Sequence, residues 1–187
     1  TVWSYKEEEV RTLSEEREHV SKLPGVKIPN EIFFTADLKE AVEGKDVVVL
    51  AVPSIHVRNT AKKMNAYVKG GQILVDVAKG IEEDTLMTLS QQIEEEIPQA
   101  DVAVLSGPSH AEEVGRGLPT TVCIGAHTET TAKYLQQLFM NEVFRVYISP
   151  DILGIELGGS LKNVIALAAG VADGMGYRSE ERRVGKE

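Results

Sequence analysis

Short runs of aliphatic and β-branched residues alternate along the chain with segments in which apolar residues recur every three or four positions. Unbroken apolar runs predict buried strands, whereas the wider spacing predicts amphipathic helices. Strands are predicted at residues 32–35, 46–52, 72–77, 102–105, 120–124 and 144–148, and residues 1–3 resemble the end of another. Helices are predicted at residues 37–42, 54–67, 84–97 and 128–140, with Asp37 and Thr128 as caps.

The alternation of strands and helices predicts an α/β fold with a Rossmann-like, doubly wound sheet that is mainly parallel. Residues 46–52 (DVVVLAV) are apolar throughout, so we expect this strand to be buried on both faces. Because the chain starts at what resembles a strand end, we expect the natural protein to begin with an earlier strand–helix unit. Ligands bind beyond the carboxyl ends of the strands in such sheets. This rule selects four loops, at residues 4–6, 53–54, 78–80 and 106–111.

Charge and composition narrow the class of protein. The net charge of −9 disfavours bulk attraction to nucleic acid or to anionic membranes. We expect no membrane-spanning segment, because no apolar run approaches the ~20 residues that cross a bilayer. No signal peptide is evident either. We therefore expect a cytoplasmic protein. Cys123 is the single cysteine and is expected to be a buried structural thiol. The four histidines show no metal-ligand spacing, so no metal site is predicted.

Two of the selected loops carry groups that suit a ligand. Lys79 places an ammonium at a strand end, although a solvated lysine in a turn explains it equally well. The segment SGPSHA at residues 106–111 offers backbone amides at the start of a helix, or else forms a plain Gly-Pro turn. Ser109 and His110 do not by themselves indicate nucleophilic catalysis, because no acidic partner is evident.

The sequence changes character after Pro150. Residues 151–173 are helical in length and apolar nearly all round, which predicts burial against another domain or a partner. Lys162 lies within this helix, where a lysine is costly to bury and therefore either extends to the helix edge or faces a polar cleft. A lysine that is partly desolvated in a cleft gives up its proton more easily, which suits general acid/base catalysis. These residues favour a functional role for Lys162.

Five motifs occur in one order and spacing along the chain. They are AVPS at residues 51–54, AKGIE at 78–82, LSGPSHAEEV at 105–114, FRVY at 144–147 and GIELGGSLKNVIALAAG at 154–170. With the five motifs in this order and at this spacing, the sequence resembles the bacterial NAD(P)-dependent glycerol-3-phosphate dehydrogenases over residues 1–177. The resemblance implies hydride transfer between NAD or NADP and sn-glycerol 3-phosphate. The product is dihydroxyacetone phosphate, and the reverse reaction supplies glycerol phosphate for phospholipid synthesis.

The resemblance also implies roles for individual residues. Lys162 matches the catalytic lysine that exchanges the hydroxyl proton, and Lys79 matches a lysine that contacts both substrate and cofactor. The other implied substrate contacts are Gly107 and Ser109. The other implied cofactor contacts are Ser4, Tyr5, Lys6, Pro53 and Ala111. The Tyr5-Lys6 pair tolerates a 2′-phosphate, whereas an acidic residue there would favour NAD, so either cofactor is compatible with the sequence.

The sequence departs from the family pattern at both ends. The Gly-x-Gly-x-x-Gly turn that cradles the pyrophosphate does not precede Thr1, and the family's helical substrate domain does not continue beyond Tyr177. We therefore predict a truncated NAD(P)-binding domain at residues 1–150 and the start of a helical substrate domain at residues 151–177. Residues 178–187 (RSEERRVGKE) do not continue the family pattern and are predicted to be a non-native tail.

The chain alone is expected to be inactive, because it lacks these two parts of the site. Membership of the family is compatible with a homodimer. Two alternatives stay open. One is another two-domain dehydrogenase, of the 6-phosphogluconate or 3-hydroxyacid type, although those enzymes do not combine the SGPSHA and LKN motifs. The other is a nucleotide-binding domain without catalysis.

Overall fold

The computed structural model describes residues 1–177, so the tail predicted at residues 178–187 lies outside the described residues. The strands are β1 (Val2–Trp3), β2 (Glu18–His19), β3 (Leu23–Lys27), β4 (Phe34–Thr35), β5 (Val47–Leu50), β6 (Ile73–Asp76), β7 (Asp101–Ser106), β8 (Thr120–Ala126) and β9 (Phe144–Ser149). The helices are α1 (Glu7–Glu16), α2 (Leu38–Val42), α3 (Val57–Met64), α4 (Leu89–Glu96), α5 (Ala111–Gly115), α6 (Glu129–Phe139) and α7 (Ile152–Gly174). Short 3-10 turns flank α3.

The main sheet contains five strands in the order β5-β6-β7-β8-β9. All neighbours in it are parallel except β7 and β8, which are antiparallel. Strands β1 and β4 form a separate parallel pair, and β2 and β3 form an antiparallel pair. The prediction of an α/β fold with a mainly parallel sheet is therefore confirmed.

Helices cover both faces of the main sheet. Successive strand residues point to opposite faces, so Leu74 and Val75 of β6 belong to different hydrophobic clusters. The first cluster joins β5, β6 and β7 to apolar residues of α3 and α4. The second joins β6 to β9 with Ala132 and Leu135 of α6. This arrangement confirms the predicted doubly wound sheet.

Strand β5 lies at the edge of the five-stranded sheet, so the prediction that it is buried on both faces was wrong. Only Leu50 of its four residues is buried, and Val49 is 44% exposed. Within the described part of the chain, β5 pairs with β6 alone. Its other edge and β1 line an open groove of about 360 Å³. The strand is exposed because no neighbouring strand fills this groove in residues 1–177.

Helix α4 begins at Leu89, five residues later than predicted. Thr88 caps it in a capping box: the Thr88 side chain accepts from the backbone of Gln91, and Thr88 N–H donates to Gln91 Oε1 at 3.0 Å. Leu86 was expected on the helix but lies before it, with a left-handed φ of 59° and 75% of its surface exposed. Its helical spacing from Leu89 therefore does not reflect a shared helix.

Helix α7 packs on the sheet only through its first turns. Asp151 caps it by accepting from Gly154 N–H at 2.8 Å, and Ile155 lies against Gly125 of β8. Within residues 1–177, Glu156 is the only buried residue of α7, and burial of this helix against another domain or a partner stays a prediction. The helix has 23 residues and a mean hydropathy of 1.4, long and apolar enough for a membrane span, contrary to expectation. One such helix is weak evidence for a membrane segment.

The capping box of α4 leads to a stability prediction. Replacing Thr88 by alanine removes the cap and should lower the free energy of unfolding by about 1 kcal/mol, measured by urea denaturation. Thr130→Ala is the matched control, because Thr130 is exposed on α6 and contributes no cap. It should change stability by less than about 0.5 kcal/mol. Equal effects of the two variants would contradict the role of Thr88.

Candidate active site

A pocket of about 520 Å³ lies where the loops after β6 and β7 meet α7. The loop after β6 contributes Lys79, and the loop after β7 contributes residues 106–110. The first three turns of α7 close the pocket and end with Lys162. The pocket therefore brings together the four predicted substrate residues, Lys79, Gly107, Ser109 and Lys162.

The loop that carries Lys79 is held from two sides next to the pocket. Ser160 of α7 donates a hydrogen bond from its hydroxyl to the carbonyl of Gly80 at 3.2 Å. On the other side, a Cβ on Gly80 would lie 2.7 Å from the Cβ of Ser54, in the loop after β5. Such a distance leaves no room for a side chain, so only glycine allows the two loops to approach this closely.

An ion pair holds the same loop at Glu82, shortly after Lys79. Arg58 of α3 donates two hydrogen bonds to Glu82, from Nε to Oε1 at 2.7 Å and from Nη2 to Oε2 at 2.8 Å. Arg58, helped by the Thr85 hydroxyl, lowers the pKa of Glu82 to about 2. A bidentate pair of this kind has a defined geometry as well as charge, so it fixes the direction in which the loop leaves Lys79.

The loop after β7 lies directly against its neighbours. A Cβ on Gly107 would lie 2.6 Å from the carbonyl oxygen of Thr121 and 2.8 Å from the Cα of Val122, both in β8. On the helix side, a Cβ on Gly159 would lie 2.6 Å from Ser106 Oγ. Two glycines thus allow strand, loop and helix to approach closely enough to form the walls of the pocket.

Glu156 anchors α7 above the sheet. Its carboxylate accepts from the backbone N–H of Ser90 at 2.9 Å and from the Ser90 hydroxyl at 2.6 Å, both in the first turn of α4. Negative charge at a helix N-terminus is stabilised by the unpaired amides there. The anchor places Lys162, less than two turns further along α7, at the pocket. Lys162 itself is exposed and lines the pocket.

The pocket has an electrostatic character that suits an anion. Burial lowers the pKa of Lys79, the neighbouring ammonium of Lys162 lowers it further, and Asp76 opposes both. Neither lysine forms a salt bridge with a carboxylate within residues 1–177. Two ammonium groups that face one cavity repel each other, and a ligand with negative charge relieves that repulsion.

Comparison with known sequences identifies the family. The family model for the N-terminus of NAD-dependent glycerol-3-phosphate dehydrogenase matches residues 1–132, and the model for the C-terminus of the same enzyme matches residues 151–184. The chain belongs to the NAD-dependent glycerol-3-phosphate dehydrogenase family. The predicted resemblance is thereby confirmed.

Relatives and solved structures agree with this assignment. Glycerol-3-phosphate dehydrogenase, NAD(P)+, of Agathobacter rectalis is 65% identical over 176 residues, which cover 94% of this chain and 52% of the relative. The crystal structure of glycerol-3-phosphate dehydrogenase from Coxiella burnetii matches with a TM-score of 0.85 and 31% identity, over 97% of this chain and 56% of that one. The enzyme from Saccharomyces cerevisiae matches with a TM-score of 0.86 and 25% identity, over 95% and 55%. The chain spans about half the length of the curated relatives it matches.

The cofactor residues implied by the family lie apart from the pocket, except for Lys79. Residues 4–6 follow β1, where the Ser4 hydroxyl donates to Glu9 and Tyr5 is 72% exposed. The Lys6 ammonium lies 5.4 Å from the centre of the Tyr5 ring. Pro53 follows β5, and Ala111 begins α5. These residues lie at the ends of different elements, and their role in binding a dinucleotide stays a prediction.

Two residues at or next to the pocket were not predicted as functional. Cys123 was expected to be buried, but it is only half-buried and lines the pocket, because alternation along β8 turns it away from Val122 and Ile124. Burial still raises the pKa of its thiol. Glu156 was also missed, although a single acidic residue in the first half of an apolar helix signals a buried polar contact.

Within residues 1–177, no group of three or more histidine, cysteine, aspartate or glutamate residues could hold a metal ion.

The close approach at Gly107 leads to a second prediction. Gly107→Ala places a methyl group against the backbone of β8 and should lower the free energy of unfolding by about 1–3 kcal/mol. Gly158→Ala is the matched control on the same pocket, because no atom lies within 4 Å of the added Cβ. It should not destabilise the chain, since alanine favours a helix over glycine by about 1 kcal/mol. Denaturation of both variants measures the difference, and equal stability would contradict the packing described.

Asp76 leads to a prediction about pH. Burial raises its pKa from 3.8 to about 7, and nearby Glu156 adds to the effect. Between these two pH values the folded state binds more protons than the unfolded state, so stability falls as pH rises. The loss should be on the order of a few kcal/mol.

Asp76→Asn should abolish this fall between about pH 5 and pH 7, measured by urea unfolding at each pH. The glutamates with lowered pKa values, Glu9, Glu18, Glu82 and Glu129, act in the opposite direction, because they add stability as pH rises through their unfolded pKa of 4.5. Their contribution is nearly complete above about pH 5.5. Asp101→Asn, at the start of neighbouring β7, is the control and should retain the fall. An Asp76→Asn variant with an unchanged pH profile would show that Asp76 is not the cause.

Proposed function

We propose that this chain forms the part of an oxidoreductase that interconverts sn-glycerol 3-phosphate and dihydroxyacetone phosphate, with NAD or NADP as hydride carrier. The observation that carries the proposal is the convergence of Lys79 and Lys162, from different elements, on one pocket with Gly107 and Ser109. A small phosphate ester matches that pocket in charge, because its dianion offsets two ammonium groups. A volume of about 520 Å³ also suits a small ligand.

The chemistry of the proposed reaction assigns different parts to the two lysines. Lys162 is exposed at the pocket, so its ammonium has free access to a substrate oxygen. During reduction it donates a proton to the carbonyl oxygen of dihydroxyacetone phosphate, and during oxidation it takes the proton of the hydroxyl. Lys79 is half-buried and held by its loop, which suits it to bind and orient the phosphorylated substrate rather than to exchange the proton.

A nicotinamide dinucleotide, when bound, would supply the hydride acceptor or donor. The exposed side chains after β1 suit its adenosine end: Tyr5 offers a ring face and Lys6 a positive charge for a 2′-phosphate. Pro53, Lys79 and Ala111 would contact the rest of it.

We propose residues 1–150 as the nucleotide-binding domain and residues 151–177 as the start of the substrate domain. The partners proposed are the phosphorylated substrate and the dinucleotide, with the enzyme in the cytoplasm, not inserted in a membrane, and as a homodimer. Supply of glycerol phosphate for phospholipid synthesis follows from the reaction.

The test is a chimaera in which residues 1–177 replace the matching part of the Agathobacter rectalis relative. We expect it to oxidise NADH or NADPH when dihydroxyacetone phosphate is added, at a rate within the usual range of about 1–1,000 per second. The 187-residue chain alone should show no turnover. A chimaera that oxidises 6-phosphogluconate but leaves dihydroxyacetone phosphate unreduced would overturn the proposal in favour of the sister dehydrogenases.

Lys162→Ala in the chimaera tests the catalytic role. Losing a general acid should slow the hydride step by about 100-fold or more, measured by single-turnover absorbance of the reduced cofactor. Lys133→Ala is the matched control, because Lys133 lies on α6 in an exposed pair with Glu129. It should leave the rate unchanged. A Lys162→Ala variant with the full rate would remove Lys162 from this role.

A further inference from the structure

A second, much smaller cavity lies directly beneath the pocket. Its volume is about 10 Å³, and Lys79 and Ser106 line both cavities. Room of this size accommodates one water molecule at most. Two carboxyl groups also line it: Asp76 at the end of β6 and Glu156 from α7. Lys79 is therefore shared between a cavity that two carboxyl groups line and the pocket that carries Lys162.

The two carboxyl groups differ in the hydrogen bonds that they accept. Glu156 is 9% exposed and accepts two hydrogen bonds from Ser90, at 2.9 and 2.6 Å. Asp76 is 2% exposed and accepts a single long bond, from Ala78 N–H at 3.3 Å. Hydrogen bonds donated to a carboxylate stabilise its ionised form. If the pair holds one proton, the proton therefore resides on Asp76.

The charged groups that act on Asp76 within the described residues are Glu156 from α7 and Lys79 from the loop that follows β6. On the pocket side, Lys162 is the charged group that acts on Lys79. An ionised Asp76 raises the pKa of Lys79, whereas the ammonium of Lys162 lowers it. The two groups therefore have opposite effects on Lys79. The pKa of Lys79 is therefore higher when the carboxyl group of Asp76 is ionised.

We propose that Asp76 is a positioning residue that, paired with Glu156, controls the charge on Lys79 and thereby how the pocket receives an anionic substrate. The proposal rests on the proposed function, in which Lys79 binds the phosphorylated substrate. Asp76 lines the small cavity and not the pocket, so the proposal gives it no direct contact with the substrate. Its effect passes through Lys79.

The test follows the titration of Lys79 in the isolated 187-residue chain, labelled with carbon-13 at the lysine side chains. Lys79→Arg identifies the signal. In the unsubstituted chain the Lys79 signal should show an inflection near pH 7, from Asp76, and a second one from its own titration. Asp76→Asn should remove the first inflection and lower the midpoint of the second by about half a pH unit or more.

Two further variants sharpen the result. Asp101→Asn makes the same charge change at the opposite end of neighbouring β7 and should leave both inflections in place. Glu156→Gln should move the first inflection to lower pH, because Glu156 favours the proton on Asp76. A Lys79 titration that Asp76→Asn and Glu156→Gln both leave unchanged would overturn the proposal.

This measurement is independent of the enzyme assay. It uses neither substrate nor cofactor, so a negative result refutes the coupling of Asp76 to Lys79 and leaves the proposed oxidoreductase untouched. Conversely, a chimaera without activity on dihydroxyacetone phosphate would overturn the proposed function, while the Lys79 titration would still report the coupling.

Discussion

The buried contact between Glu156 and Ser90 determines where the helix α7 lies. It joins the second turn of α7 to the N-terminus of α4, through two residues that are 66 positions apart in the sequence. A carboxylate out of water is costly unless its oxygens are bonded, and here both oxygens accept hydrogen bonds. This placement matters for the pocket, because α7 supplies one of its walls and carries Lys162 to it.

The remaining walls depend on close approach rather than on charge. Gly107 and Gly159 let a strand, a loop and a helix meet without a side chain between them. Gly80 does the same for the loops after β5 and β6, and Arg58 fixes the second of these loops through Glu82. Three glycines and the ion pair between Arg58 and Glu82 thus stabilise the segments that surround Lys79.

The alternation of strands and helices was predictable because each strand is a short apolar run and the helices show helical spacing. The loops at the strand ends were predictable from a general rule about parallel sheets. The predictions that were wrong concerned features that depend on neighbouring elements in the fold. The sequence of β5 cannot show that one of its edges is unpaired, and the start of α4 depends on the capping box at Thr88 rather than on the spacing of Leu86.

The pocket was partly predictable for a similar reason. Lys162 was identified because a lysine within an apolar helix is unusual, whereas Lys79 was identified by the motif that matches the family. Asp76 and Glu156 were missed because they line one small cavity although they are distant in the sequence, and Glu156 bonds to Ser90, which is 66 residues away. A local pattern carries no information about such a contact.

The central claim is that Glu156 holds α7 so that Lys162 and Lys79 face the same pocket. A short amine-reactive cross-linker, followed by peptide mass spectrometry, tests it most directly in the folded chain. The account predicts a cross-link between Lys79 and Lys162 that is lost or strongly reduced in Glu156→Ala, while far-ultraviolet circular dichroism shows that the helices persist. A cross-link of equal yield in Glu156→Ala, or none in the unsubstituted chain, would contradict it.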